Sequence, residues 1–476
     1  MHTVSSRRPF GIGAVAVCLL ALLGFPRQSA AQPTGQPRSV FWGSVPSGAP
    51  SGTTLLLSLK DTFDRALKHN LGLLESDQDV RAAQAVRLRG LNALLPDVTG
   101  QLSGSRQQIN FGAMGFNFTF PGVNIPTIVG PFRVADARVY LSQSIFNRSD
   151  IKHWKSTAES ERSSRYSNMN DREMVVLAAG NAYLTVISDR ATVDSTRAQV
   201  TAAHVLHERA VDQNKAGVIA QIDVLRARVE LQTQQQRLIA AENQLAIDKL
   251  ALARVIGLPK GQDFQITDSV PYAPLDGITL DQALERAATT RPDYMSAKAK
   301  VLAAELARQS AAAGNYPSLS ADANYGDIGS PNFGTSHGTF SATVTLNVPI
   351  FRGTRVRADT LEADAALRQR QAELADLDGQ IDVQVRTAFF NLRSSSDLVT
   401  VAQSTIDLAN QTLVQAQDRF TAGVANNLDV VQAQESVAYA NQSYIASLYA
   451  YNVAKISLAQ AIGVAEHSAL QYLGAR

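Results

Sequence analysis

The chain is almost without cysteine, and it lacks every long apolar run except one near its start. Its single cysteine, Cys18, lies inside that run, which extends from Gly11 to Phe25. Two arginines precede the run and small residues at 29–31 follow it, so residues 1–31 are predicted to be a cleaved secretory signal peptide. Cleavage removes the cysteine, which excludes disulfides and thiolate chemistry from the mature chain.

The charge balance excludes nucleic acid as a partner. The formal net charge is +2, and the predicted signal peptide carries three basic and no acidic residues, so the mature chain carries about −1. Such a chain offers no basic surface to nucleic acid. No other apolar run approaches the length of a membrane-spanning helix, so we expect no such helix in the mature chain.

Motifs of catalysis are missing as well. There is no His-Glu-x-x-His sequence, no phosphate-binding loop and no Gly-x-Ser-x-Gly elbow, so we expect neither an enzyme nor a cofactor. His204 and His207 are spaced to share a metal ion, but no third ligand is near in the sequence. A solvated helix face is the favoured interpretation of this pair, and no metal is expected.

An internal duplication organises what is present. Residues 215–224 return as residues 421–430, 206 positions later, and the match continues without a gap to the Ile-Gly pairs at 256–257 and 462–463. In each copy a long helical pattern reaches Ala-Gly-Val, and a second helical pattern follows. Each copy is therefore predicted to be a helical hairpin with a tight tip.

Glycine and aspartate occupy matching places in the two tips. Gly217 and Gly423, followed by Val218 and Val424, suit the left-handed conformation that ends a helix and reverses the chain. Two further residues, Asp223 and Asp429, fall at the start of the outgoing helix, where the helix dipole favours a carboxylate.

A change of period after two prolines predicts four strands. Helical patterns over 59–95 and 280–316 end at Pro96 and Pro317, and alternation of apolar and polar residues follows each. Loops at about 110–131 and 326–337 separate the strands within each repeat. The predicted strands cover about 98–104, 132–146, 319–325 and 339–350.

The two repeats also contain long helices, at 149–214 and 353–420. Each would extend roughly 100 Å, and the two shorter helices of a repeat, laid end to end, would match that length. The predicted segments are a signal peptide (1–31), a lead-in (32–57), a first repeat (58–257), a linker with one short strand (258–277), a second repeat (278–464) and a tail (465–476).

Apolar residues recur every seven positions in the outgoing helices, which indicates coiled-coil packing. The row is narrow and the remaining faces are polar, which suits the wall of a water-filled tube better than a solid bundle. The two rows are Val224, Leu231, Leu238, Leu245 and Leu252, and Val430, Val437, Tyr444, Tyr451 and Leu458.

Four strands cannot close a membrane barrel alone, because their edges would be unsatisfied in lipid. Two copies would supply eight strands and three would supply twelve, which is wide enough for a lumen. Two functions stay open on these grounds: an export duct, and a periplasmic coiled-coil adaptor or structural protein without a pore. Strands with one apolar face favour the duct.

Taken together, these segments resemble the TolC-like outer membrane efflux protein family. The resemblance is carried by the two tips, by Arg-Pro-Asp at 291–293, by Leu-Ser-Gln-Ser-Ile-Phe at 141–146 and by Leu-Asn-Val-Pro-Ile-Phe-Arg-Gly at 346–353. It implies an α+β fold, with a trimeric twelve-stranded barrel in outer membrane lipid continued by a helical barrel across the periplasm. It further implies export of small molecules or proteins with a periplasmic adaptor and an inner-membrane transporter.

The resemblance also places a tunnel constriction at the tips, where family members join neighbouring helices through a tyrosine, an arginine and aspartates. Phe420 stands at the tyrosine position, Ala425 at the arginine position, and Asp429 and Gln432 at the two aspartate positions. Asp223 matches the tip aspartate of the first repeat. Because the phenol and the guanidinium are missing, we expect the aspartates to form a cation-attracting ring instead of a salt-bridged latch.

Overall fold

The computed structural model describes residues 40–115, 119–120, 123–124, 126–269, 272–275, 277–330, 337–422, 424 and 427–474, with backbone alone at 40, 119–120, 123–124 and 427. The predicted signal peptide, the first part of the lead-in, Gly423, Ala425 and the last two residues of the tail lie outside the described residues.

Most of the described chain is helical, and the two long helices of the duplication are present. The first long helix is one residue longer than predicted at each end. The second begins two residues later and ends one residue later than predicted. The helices are α1 (Leu59–His69), α2 (Leu71–Asn92), α3 (Arg148–Lys215), α4 (Gln221–Val255), α5 (Leu280–Thr290), α6 (Pro292–Ala312), α7 (Arg355–Thr421), α8 (Asn427–Ala461) and α9 (Ala465–Leu473).

Within the described ranges, the strands form three sheets. A four-stranded antiparallel sheet has the order β2-β5-β7-β8, a two-stranded parallel sheet joins β1 to β6, and a short hairpin joins β3 to β4. The strands are β1 (Leu55–Leu57), β2 (Asp97–Asn110), β3 (Thr119–Phe120), β4 (Val123–Asn124), β5 (Ile128–Asn147), β6 (Phe264–Ile266), β7 (Ser318–Gly329) and β8 (His337–Asn347).

The helix predicted before each strand pair is in fact two helices. The first breaks at Asn70, whose backbone is extended and whose side-chain oxygen accepts from the Gly72 amide at 2.9 Å. The second breaks at Arg291, where the following Pro292 disfavours helical backbone. The two breaks are 221 positions apart, the same offset as the duplication.

One predicted loop is shorter than expected because β5 begins before Pro131. The pairing of β2 with β5 shifts register between Gln107 and Ile109, opposite the Gly130–Pro131 step. A bulge tolerates a proline because the residue there need not donate to the ladder. The strand therefore already includes Pro131, which the pattern placed in the loop before it.

Three segments pack against the middle of the long helices. They are the segments predicted as a lead-in, a linker with one short strand and a tail. β1 of the lead-in pairs in parallel with β6 of the linker, and the tail forms α9. Tyr183, at the middle of α3, is fully buried in a core with Leu57, Phe63 and Ile456. The largest apolar core thus lies halfway along the molecule.

Charged groups fix α9 against α3. The buried Glu173 carboxylate accepts hydrogen bonds from the Ala465 and Glu466 amides, and Arg172 pairs with the Glu466 side chain. Burial raises the pKa of Glu173. The predicted tail is therefore a docked helix. Among the described residues, no helix combines the length and apolarity needed to cross a bilayer.

Candidate functional site

The four-stranded sheet separates apolar from polar side chains onto opposite faces. One set of cross-strand rows contains mainly apolar residues and glycines, with Gln143 and Asp327 toward its two ends, and the alternating set contains mainly polar residues. Rows on the first face join Val98, Leu141, Ala323 and Ala342, and then Gly100, Val139, Tyr325 and Phe340. Rows on the second face join Asp97, Ser142, Asp322 and Thr343, and then Thr99, Tyr140, Asn324 and Ser341.

The polar face is organised by hydrogen bonds between its own side chains. The Ser142 hydroxyl donates to the Asp322 carboxylate at 2.8 Å, and Arg138 pairs with Asp136 on the same strand. On the apolar face, Val139, Tyr325, Phe340 and Val344 are all more than half exposed. A sheet of this kind suits contact with lipid on one side and with water on the other.

The helices that follow the strands form a layer, and they lie side by side in the same order as the strands. Next to the sheet α3 packs between α2 and α6, and α6 packs against α7. Farther away α4 takes the place of α2 beside α3, and α8 takes the place of α6 between α3 and α7. Two shorter helices thus run end to end beside each long one, as the lengths predicted.

The first tip has the geometry predicted for Gly217. Its φ is 77°, in the left-handed region, and no atom lies within 4 Å of the position that a Cβ would take. The Val218 amide donates to the Gln213 carbonyl at 2.9 Å, and the Asn214 side chain donates to the Ile219 carbonyl. These bonds close α3 and satisfy carbonyls at its end.

The second tip repeats the same backbone bonds around Gly423. The Ala422 amide donates to the Asp418 carbonyl, as Ala216 does to Asp212 206 positions earlier, and the Val424 amide donates to Arg419 at 3.0 Å. Val218 and Val424 are exposed by 70% and 68%. Both valines therefore project from the tips into solvent.

Asp223 has a cationic neighbour that the sequence reasoning missed. Its carboxylate lies 3.3 Å from the Arg226 guanidinium, one turn along α4. The matching position in α8 is Gln432, which cannot make an ion pair with Asp429. The spacing of three residues on a helix could have revealed the pair. The two tips are thus alike in backbone and unlike in charge.

Phe420 lies between the two hairpins of one chain. With Leu206, Gln213 and Val430 it lines a cleft of about 380 Å³ between α3 and the α7–α8 pair. Gln432 is exposed on α8 and Asp429 is half-buried. Within this single chain, the structure therefore brings Phe420 to the hairpin junction and leaves Gln432 at the surface.

The histidine pair remains without a set of metal ligands. His204 lies 3.5 Å from the Glu208 carboxylate, and its side chain is more than half exposed. Within the described ranges, no three His, Cys, Asp or Glu side chains are grouped so as to hold a metal ion. The pair lies on a solvated face of α3.

Two carboxyl groups meet between α3 and α4. Burial raises the pKa of Asp189 to about 7, and the adjacent Asp248 carboxyl contributes to the same rise. Gln244 donates to Asp248 at 2.6 Å. Because two carboxylates in contact cannot both ionise easily, the pair holds a proton at neutral pH and below.

An amphipathic sheet continued by a layer of long coiled-coil helices defines a membrane-inserted protein with a long helical extension. A sequence profile described as "Outer membrane efflux protein" matches residues 62–258 and 283–464. The chain belongs to this family. It is an outer membrane efflux channel of the TolC type, with a periplasmic extension.

Individual relatives are distant but match over most of their length. The chain is 24% identical to the outer membrane protein TolC of Vibrio cholerae, over 82% of this chain and 88% of the relative. It is 26% identical to the pyoverdine export outer membrane protein OpmQ of Pseudomonas aeruginosa, over 87% and 85%.

Among solved structures, the Campylobacter jejuni CmeC outer membrane channel has the same fold. The two superpose with a TM-score of 0.72 at 17% identity, covering 86% of each chain.

Proposed function

We propose that three copies of this chain assemble into one continuous duct across the outer membrane and the periplasm. The observation that carries the proposal is the sheet with its two faces. Its outermost strands, β2 and β8, have no further partner strand among the described residues. Such edges are costly in lipid, and twelve strands from three copies would close them around a lumen.

Exposed apolar rows on the outermost helices support closure by further copies. Coiled-coil helices bury such rows against a partner, so α4 of one copy would pack against α7 of the next. The exposed apolar residues include Ile222, Leu225, Val229, Ile239 and Leu250 on α4, and Val383, Phe390, Leu398, Val401 and Leu408 on α7.

The duct would export small molecules or proteins with a periplasmic adaptor and an inner-membrane transporter, which would dock at the exposed tips. The names of relatives support this role, since they include a probable efflux pump outer membrane protein, SepC, of Pseudomonas putida. An adaptor without a pore has no use for an apolar sheet face, so that alternative is not favoured. The domain boundaries given above and the constriction at Asp223, Phe420, Asp429 and Gln432 belong to the same proposal.

Disulfide cross-linking between strand edges tests the assembly. β2 and β8 are three strand spacings apart in one chain, about 14 Å, which no disulfide can bridge. Cysteines at Ser103 on β2, combined in turn with Thr339, Ser341 or Thr343 on β8, can therefore join only different copies. The mature chain offers no competing thiol, because Cys18 lies in the predicted signal peptide.

We expect at least one pair to give covalent dimers and trimers after oxidation, and nothing larger. Ser103 combined with Ser320 of the interior strand β7 serves as the control that stays uncross-linked between copies. A ladder that continues beyond three chains, or monomers from every pair, would refute the trimer.

A further inference from the structure

The short loop between α6 and β7 lies between two arginines at the foot of the sheet. The Arg148 guanidinium lies over the Tyr316 ring, 4.3 Å from its centroid. On the same loop, the position that a Cβ on Gly314 would take is 3.9 Å from Arg352 Nη1. Both arginines are exposed. Two guanidinium groups and one aromatic ring thus lie along the segment 314–316.

Neither arginine is committed to a carboxylate. In the part of the chain that the structure describes, no acidic side chain lies within 4 Å of the Arg148 or Arg352 guanidinium. The nearby Asp150 accepts from the Asn147 side chain at 2.5 Å, and Asp359 faces Arg355. The two positive charges are therefore available to an anion.

Apolar surface begins directly above these charges. A bulge in β5 between Ser144 and Phe146 turns Phe146 into the row formed by Leu319 and Leu346, on the apolar face. Beyond the end of β8, Ile350 and Phe351 are 97% and 88% exposed. The change from apolar to cationic surface takes place within two residues, at Phe146 to Arg148 and at Phe351 to Arg352.

We propose that this surface binds the anionic head group of a phospholipid. Arg148 and Arg352 would hold the phosphate, because guanidinium groups match its oxygens in bidentate geometry. Tyr316 would lie at the glycerol level, where aromatic side chains with a polar end are favoured. The acyl chains would cover Phe146, Leu319, Leu346 and Ile350.

The position of the apolar residues directly beside the two arginines favours a lipid over a soluble anion or a protein as the ligand. A phospholipid presents a negative charge directly beside long apolar chains, which a soluble anion does not, and the apolar rows here are continuous with the sheet face that the proposed function turns toward lipid. The first repeat does not provide a second site of this kind, because it has Leu95 at the position that corresponds to Tyr316 of the second repeat.

Native mass spectrometry of the full-length protein in detergent tests the site. The protein is incubated with phosphatidylglycerol and phosphatidylcholine of identical acyl chains, and the lipids retained are counted. We expect wild type to retain phosphatidylglycerol selectively. Arg148→Gln and Arg352→Gln should each weaken retention about fivefold, and together about thirtyfold. Arg228→Gln, an exposed arginine about 90 Å away along the helices, is the matched control and should change nothing.

Three results would overturn the proposal: retention by the double variant equal to wild type, equal retention of the two lipids, or complete displacement by equimolar inorganic phosphate. Channel conductance is recorded on the same preparations. The inference shares with the proposed function only the orientation of the sheet, so an unselective protein that still conducts normally would refute the lipid site and leave the duct intact.

Discussion

Replacing Gly217 by alanine isolates what the left-handed turn contributes to the tip. The residue has φ of 77°, and a Cβ there would contact nothing within 4 Å. The substitution therefore creates no clash, and its whole cost is the backbone conformation, roughly 1–2 kcal/mol. Opening of the tip should become about 5–30 times more frequent.

Gly379 provides the matched control. It lies within α7, is exposed, and also has no atom within 4 Å of an added Cβ. The same change there should stabilise the helix by about 0.5–1 kcal/mol, because glycine is a poor helix former. The same glycine-to-alanine substitution is thus expected to destabilise the structure at Gly217 and to stabilise it at Gly379, although neither position has a neighbouring atom to clash with.

Hydrogen exchange measured by mass spectrometry separates the two cases. Gly217→Ala should accelerate exchange of the amides at 213–218, and Gly379→Ala should slow exchange around its own position in α7. If both variants protect their surroundings equally, Gly217 is not held in the left-handed region and the assigned turn is wrong. The double variant Gly217→Val and Gly423→Val should also abolish export while assembly and membrane insertion survive, because the strands lie roughly 100 Å away.

Two further predictions concern charge. The double variant Asp223→Asn and Asp429→Asn should reduce the cation preference of single-channel conductance in planar bilayers, and high salt should have the same effect. Arg226→Gln, which gives the first tip the residue found at Gln432, should increase the cation preference. Unchanged selectivity in both variants would place these carboxylates away from the constriction. Burial lowers the pKa of Lys455 to about 8. Between pH 8 and 10.5 the folded state therefore binds fewer protons than the unfolded chain. The free energy of unfolding should rise with pH in that window by up to about 3 kcal/mol. Lys455→Met should remove this rise in thermal unfolding scans, while Tyr451 still donates to the Ala273 carbonyl; a rise that persists would refute the assignment.

Local patterns predicted the elements well where they were long and doubled. The long helices, the four strands and the turn at Gly217 followed from periodicity and from glycine in matching places. The breaks at Asn70 and Arg291 do not follow from periodicity, because the helical patterns continue through both residues; Pro292 is the local signal that marks the second break. The pattern places Pro131 in a loop, whereas a bulge accommodates it within β5.

The candidate site divides in the same way. Repetition points to Gly217, Val218 and Asp223, but it does not reveal Arg226, because the matching position of the second repeat is Gln432. The surface proposed to bind lipid does not follow from the sequence, since Arg148 and Arg352 are far apart in the chain and reach the segment 314–316 only when β5, β7 and α7 are assembled.

The sequence by itself determined the periods of helix and strand, the duplication and the two-faced character of the strands, because these depend on residues close together in the chain. Tertiary structure decided what fills the middle of the molecule. β1 pairs with β6 across 209 positions, and α9 docks on Glu173 across 292. Such short segments bury too little surface to be stable alone, so only contacts with the long helices determine their structure.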